Sequence, residues 1–120
     1  MPHLADLSVI YLEDEVLIAL HGEDMLREIG FGRVAIAFDE TEAHALTEAE
    51  RFDIGVLDLN LGRGRDSLAI ARKLKERGTR LVFCSGYASR DPAFAGFDAP
   101  VLTKPITPGE LRRAIEAVAA

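Results

Sequence analysis

Apolar residues along this chain gather in short runs, separated by longer stretches in which they recur every three or four positions. The runs are Leu7–Leu12, Arg33–Ala37, Ile54–Leu57, Leu81–Cys84 and Val101–Thr103. They lack clean alternation, as parallel strands covered on both faces do. The stretches between them read as helices. The first runs from about Glu15 to Ile29, with Ile18, Gly22, Met25 and Ile29 on one face and Gly30 and Gly32 to break it. Asp39 or Thr41 caps a second, running to about Glu50 with Ala43, Leu46 and Ala49 inward. Asp66 or Ser67 caps a third, with Leu68, Ala71 and Leu74 inward and Gly78 as its stop. Pro108 suits the first turn of the last helix, with Thr107 as its cap and Leu111, Ala114, Ile115 and Val118 inward. Between Tyr87 and Ala99, the residues Gly86, Pro92, Gly96 and Pro100 limit any helix to about two turns.

Strand and helix thus alternate along the whole chain, which predicts an α/β fold with helices on both faces of a parallel sheet. Right-handed crossovers favour the flavodoxin-like, doubly wound order 2-1-3-4-5. Its 120 residues suit one domain, expected to span 1–120. A hydrophobic fraction of 48% supplies a core, and no apolar run approaches the ~20 residues that span a bilayer. The start, Met1-Pro2-His3-Leu4-Ala5-Asp6, lacks the basic and apolar regions of a signal peptide, so a cytoplasmic location is expected. A single cysteine, Cys84, rules out an internal disulfide and fits a reducing compartment as a small buried hydrophobe. A net charge of −6 argues against non-specific nucleic-acid binding.

The chemistry gathers at strand ends. In an open α/β sheet, ligands bind outside the carboxyl ends of the strands. Asp58 closes the third strand, Glu13-Asp14-Glu15 follow the first, and the two strands are neighbours at the switch point of the expected order. At ~4 Å and an effective dielectric of 20, each like-charged pair costs about 4 kcal/mol. A hard divalent cation such as Mg²⁺ offsets that, and so does a lysine. Lys104 follows the fifth strand and Ser85 ends the fourth, so an amine and a hydroxyl belong to the same end. Acids for a metal, a carboxylate nucleophile, a hydroxyl and a cation suit transfer of a phosphoryl group onto Asp58. Each feature has a plainer reading by itself. Acids suit a helix N-terminus, Ser85-Gly86 suits a turn, and Lys104 alone is a surface lysine. Arg63-Gly64-Arg65 reads as a solvated loop near the site, and His3, His21 and His44 have no metal-ligand spacing.

Glu13-Asp14, Asp58, Ser85 and Lys104-Pro105, in that order and at those strand ends, make the chain resemble a receiver domain of bacterial two-component response regulators. The resemblance covers essentially the whole chain. It implies that Asp58 is the phosphoacceptor, and that Asp14 is the closer metal ligand of the acidic pair, with Glu13 acting through water. It further implies that Asn60 offers its backbone carbonyl to Mg²⁺, that Ser85 and Lys104 bind the phosphoryl group, and that Pro105 follows a peptide bond often cis in the family. The implied donor is a histidine kinase or a histidine phosphotransfer protein. The chain departs at Val101, where the family usually carries an aromatic switch residue. The run Phe83-Cys84-Ser85-Gly86-Tyr87 is similar to a Phe-Ala-Thr-Gly-Tyr-type subgroup that also lacks the aromatic, which leaves Tyr87 as a candidate for the switch.

The expected function is a phosphorylation-dependent switch of protein–protein contacts. It has no output domain in this chain, binds no nucleic acid or membrane, and is a monomer or weak dimer. Two rivals stand beside it. One is a phosphorylation-independent binding or scaffold module on the same fold, which has no need of the full set Asp14, Asp58, Ser85 and Lys104. The other is a phosphatase of the haloacid dehalogenase type, which expects a second Asp where this chain has Asn60.

Overall fold

In the computed structural model, residues 3–59, 67–86 and 96–119 are described. They form β1 (Ser8–Leu12), α1 (Val16–Ile29), β2 (Arg33–Ala37), α2 (Glu40–Ala49), β3 (Ile54–Asp58), α3 (Leu68–Glu76), β4 (Arg80–Ser85), β5 (Val101–Thr103) and α4 (Pro108–Ala119). The five strands pair in parallel in the order β2-β1-β3-β4-β5, the expected flavodoxin-like arrangement. Of the segment Tyr87–Ala99, where a short helix is expected, residues 87–95 lie outside the described residues.

Both faces of the sheet are covered, which is why its strands read as unbroken apolar runs. On one face Val9, Tyr11, Val56, Val82 and Cys84 meet Met25, Leu26 and Ile29 of α1 and Leu111, Ala114 and Ile115 of α4. On the other, Ile10, Leu12, Leu57 and Phe83 meet Ala43 of α2 and Ile70, Ala71 and Leu74 of α3. Gly55 permits close approach there, since a Cβ in its place would lie 3.1 Å from both Leu74 and Leu81.

The buried helix faces differ in part from those the spacing predicts. In α1 the buried positions are Ala19, Gly22, Met25, Leu26 and Ile29, and Ile18 is 38% exposed rather than inward. The first turns of α1 are apolar on all sides, so spacing alone does not select the side that meets the sheet. In α2 Ala43 and Thr47 are buried and Leu46 packs partly buried against the core as expected, while Ala49 is exposed. Thr47 is accommodated because its hydroxyl donates to the Ala43 carbonyl at 2.6 Å. In α3 Ile70 takes the deep position and Leu68 is only partly buried.

The ends follow local chemistry. Asp39 caps α2 by accepting from the Glu42 amide at 2.8 Å, while Glu42 reaches back to the Phe38 amide at 3.0 Å. Thr107 caps α4 by accepting from the Glu110 amide at 3.2 Å. Gly30, at φ 118°, closes α1 with its amide on the Leu26 carbonyl. The Lys104–Pro105 bond is cis, as the resemblance implied.

Candidate functional site

Strand alternation decides which acids turn inward. Glu13 extends the β1 edge, with its amide on the Ala37 carbonyl at 3.0 Å. Its side chain is fully buried, at 0% exposure, while that of Asp14 is exposed. Asp58, the last residue of β3, is buried at 1% exposure. β4 lies beside it, with Asp58 opposite Cys84 in register and the Leu59 amide on the Cys84 carbonyl at 2.8 Å. Ser85 ends β4 and is buried. The Lys104 amide donates to the Ser85 carbonyl at 2.8 Å, which fixes the base of the lysine side chain above that end of the sheet.

The convergence expected from the sequence is therefore present. Carboxylate oxygens of Glu13, Asp14 and Asp58 all lie within 4.8 Å of one another. Lys104 Nζ donates to Glu13 Oε1 at 2.6 Å and to Asp58 Oδ2 at 3.0 Å, bridging the two buried acids. Glu13 Oε2 accepts from the Glu15 amide at 3.2 Å. Glu13 thus bonds both the lysine and the backbone that follows it.

This geometry sets the electrostatics. Burial pushes the Glu13 carboxyl up to about 7, with the Asp58 charge adding to the rise and the Lys104 hydrogen bond opposing it. Burial works against the Lys104 charge, but its hydrogen bonds to Glu13 and Asp58 outweigh burial, and the ammonium is held above its ordinary range. Burial pushes the Cys84 thiol up to about 12, so it stays an inert core group.

Three clustered carboxylates are hard oxygen donors, the set that suits Mg²⁺ or Ca²⁺ rather than a softer metal. Asn60, Arg63-Gly64-Arg65 and Tyr87 lie outside the described residues. Val101 is half-buried and packs against the α2–α3 side of the core.

Two contributors escaped the sequence reading. Of the two candidate caps of α3, Asp66 lies outside the described residues and the side chain of Ser67 makes no capping bond. Ser67 is fully buried and donates to the Asp58 carbonyl at 2.9 Å, holding the backbone of the site. A buried serine nine residues beyond a strand-end acid carries no mark in the sequence that separates this role from a cap. Tyr11, two residues before Glu13, read only as a strand residue, yet it lines a groove that reaches Lys104.

A family model described as the response regulator receiver domain matches residues 9–116. The transcriptional regulatory protein PdtaR of Mycobacterium tuberculosis is 33% identical over 112 residues, or 90% of this chain. The match covers 54% of that protein, so the chain spans about half the length of the curated relatives it matches. The solution structure of SdrG from Sphingomonas melonis Fr1 is 33% identical, with a TM-score of 0.80 over 97% of this chain and 98% of that one. A CheY-like response regulator receiver domain from Methylobacillus flagellatus shares the fold with a TM-score of 0.81 at 21% identity, over 93% of this chain and 98% of that one.

Proposed function

The chain belongs to the response regulator receiver family, and on that premise we propose that it is a phosphorylation-dependent switch, acting as one receiver domain over residues 1–120. The phosphodonor is a histidine kinase or histidine phosphotransfer protein. A carboxylate oxygen of Asp58 attacks the phosphorus of its phosphohistidine. The new P–O bond forms as the P–N bond breaks, and the imidazole leaves with the donor. The observation that carries this reading is Lys104, whose one ammonium serves two buried acids at 2.6 and 3.0 Å. That arrangement concentrates negative charge beside a cation already aimed at the acceptor oxygen.

Glu13, Asp14 and Asp58 are the residues that would hold Mg²⁺, with the Asn60 carbonyl as a further ligand. Bound there, Mg²⁺ supplies positive charge that offsets the phosphoryl oxygens. Lys104 and Ser85 bind the phosphoryl group. Phosphorylation adds about −1.5 to −2 charges and three strong acceptors, which draw both residues toward Asp58. The readout is a change in the surface around the β4 end, β5 and α4, and so in protein contacts. The chain promotes only its own aspartyl phosphorylation and dephosphorylation, in the cytoplasm, and is not otherwise an enzyme.

A protein donor that brings its phosphohistidine to Asp58 must cover the surrounding surface. The exposed apolar residues of the first half of α1, Val16, Leu17, Ile18 and Leu20, stand on that side, since Leu17 and Ile18 share a groove with Lys104.

Incubation with acetyl phosphate and Mg²⁺ tests the reading. The wild-type chain takes up phosphate and Asp58→Asn does not. Equal labelling of the variant would remove Asp58 from the acceptor role. A wild-type chain that never labels would leave the scaffold reading in its place.

A further inference from the structure

The groove beside Lys104 holds a polar group that the acceptor chemistry does not use. The groove, of about 510 Å³, runs between α1 and the turn after β5. Leu17, Ile18 and His21 line one wall, Lys104 and Ile106 the other, with Tyr11 between them. Its size suits one or two large side chains.

Tyr11 is built into this groove by a matched glycine. Its ring packs against α1 at Gly22, where a Cβ would stand 2.1 Å from Tyr11 Cε2 and 2.9 Å from Cζ. No other residue at position 22 leaves the ring in place. The ring is buried, at 4% exposure, but its hydroxyl makes no hydrogen bond among the described residues. The hydroxyl is not sealed off either, because no buried side-chain oxygen is left without a partner among the described residues. A donor group therefore opens onto a largely apolar groove whose lining also includes His21 and the lysine of the acceptor site. Covering an unpaired hydroxyl is costly, whereas covering one that finds an acceptor is not, so such a group discriminates between partners.

We propose that Tyr11 is a specificity-determining residue for the phosphodonor protein: the groove takes an apolar side chain of that protein, and the Tyr11 hydroxyl donates to an uncharged acceptor beside it. The acceptor is uncharged because the ammonium of Lys104 beside the groove is already shared by Glu13 and Asp58, which leaves no counter-charge for a further carboxylate. Lys104 brings a cation to the groove, and His21 lines it as well. Donors that place only hydrocarbon against the hydroxyl are rejected. This inference rests on the phosphoacceptor reading, and deepens it by naming what the site selects in its partner.

The test uses Tyr11→Phe, which keeps the ring and its fit against Gly22 and removes only the hydroxyl. Two phosphodonors are compared: acetyl phosphate, which is too small to fill the groove, and the autophosphorylated histidine kinase that transfers fastest to the wild-type chain in a panel of kinases. Labelling by acetyl phosphate stays at the wild-type rate. Transfer from the kinase falls about tenfold in kcat/KM, carried by KM. Kinase transfer that is unchanged or faster in Tyr11→Phe overturns the proposal. So does an equal loss with both donors, because the hydroxyl would then serve the acceptor site itself. Absence of acetyl phosphate labelling in the wild type is a different failure, that of the phosphoacceptor reading.

Discussion

The two ends of this sheet carry polar residues in opposite ways. At the amino end, Ser8 donates its amide to Asp53 at 2.8 Å, Arg33 grips Glu50 with two bonds at 3.2 and 2.9 Å, and Arg80 reaches the Val118 carbonyl at 3.0 Å. These bonds are exposed and satisfied by close neighbours. The Arg33 bonds hold Glu50 below the usual carboxylate range, as solvent-facing pairs do. At the carboxyl end, Glu13 and Asp58 are buried and divide one ammonium between them. A fold seeking stability alone has no reason to bury two like charges, since a buried ion pair is often no better than an apolar replacement. The contrast marks the carboxyl end as the place where stability yields to chemistry.

Substitutions at the two ends sharpen this difference. The largest stability effect belongs to Lys104→Met, which leaves two buried carboxylates without their cation. It lowers the urea-unfolding free energy of the magnesium-free chain by about 3 kcal/mol, and added Mg²⁺ recovers part of the loss. A loss within the error of the unfolding curve would mean that the acids are not coupled through the lysine.

Next comes a pH effect at Glu13. Its pKa in the folded chain is about 7, above the ordinary 4.5, so between those values the folded state holds a proton that the unfolded state releases. Its stabilising contribution is fully present below the unfolded value and is lost as pH rises through 7, with a slope of up to about 1.4 kcal/mol per pH unit. Urea midpoints of the magnesium-free chain, compared with those of Glu13→Gln, show the slope in the wild type and its absence in the variant. Magnesium, which favours ionised carboxylates, flattens the slope as well.

The smallest effect belongs to the other end. Arg33→Ala breaks an exposed pair and costs about 0.5 kcal/mol, with no change in acetyl phosphate labelling. A labelling defect in that variant would break the division between the two ends.

Much of the carboxyl end was legible before any coordinates. Glu13, Asp14, Asp58, Ser85 and Lys104 each follow an apolar run, and once the strand order is right their meeting is a consequence of topology. The strands themselves were readable because runs buried on both faces leave few alternatives. Legibility failed where packing, not pattern, makes the choice. Ile18 and Ala19 are adjacent and both apolar, and only the approach of α1 to the sheet buries Ala19 and leaves Ile18 outside. Ser67 and Tyr11 act through contacts with Asp58 and Gly22, and neither contact follows from spacing along the chain. Thr47 replaced the expected Ala49 because a hydroxyl can satisfy itself within its own helix.

An aspartyl phosphate is reduced by borohydride to homoserine, so its position can be read directly by peptide mass mapping. After treatment with acetyl phosphate and Mg²⁺, the account predicts homoserine at position 58 and loss of that signal when EDTA replaces magnesium. Homoserine at position 14, or unmodified aspartate at 58 in a chain that has taken up phosphate, would contradict it.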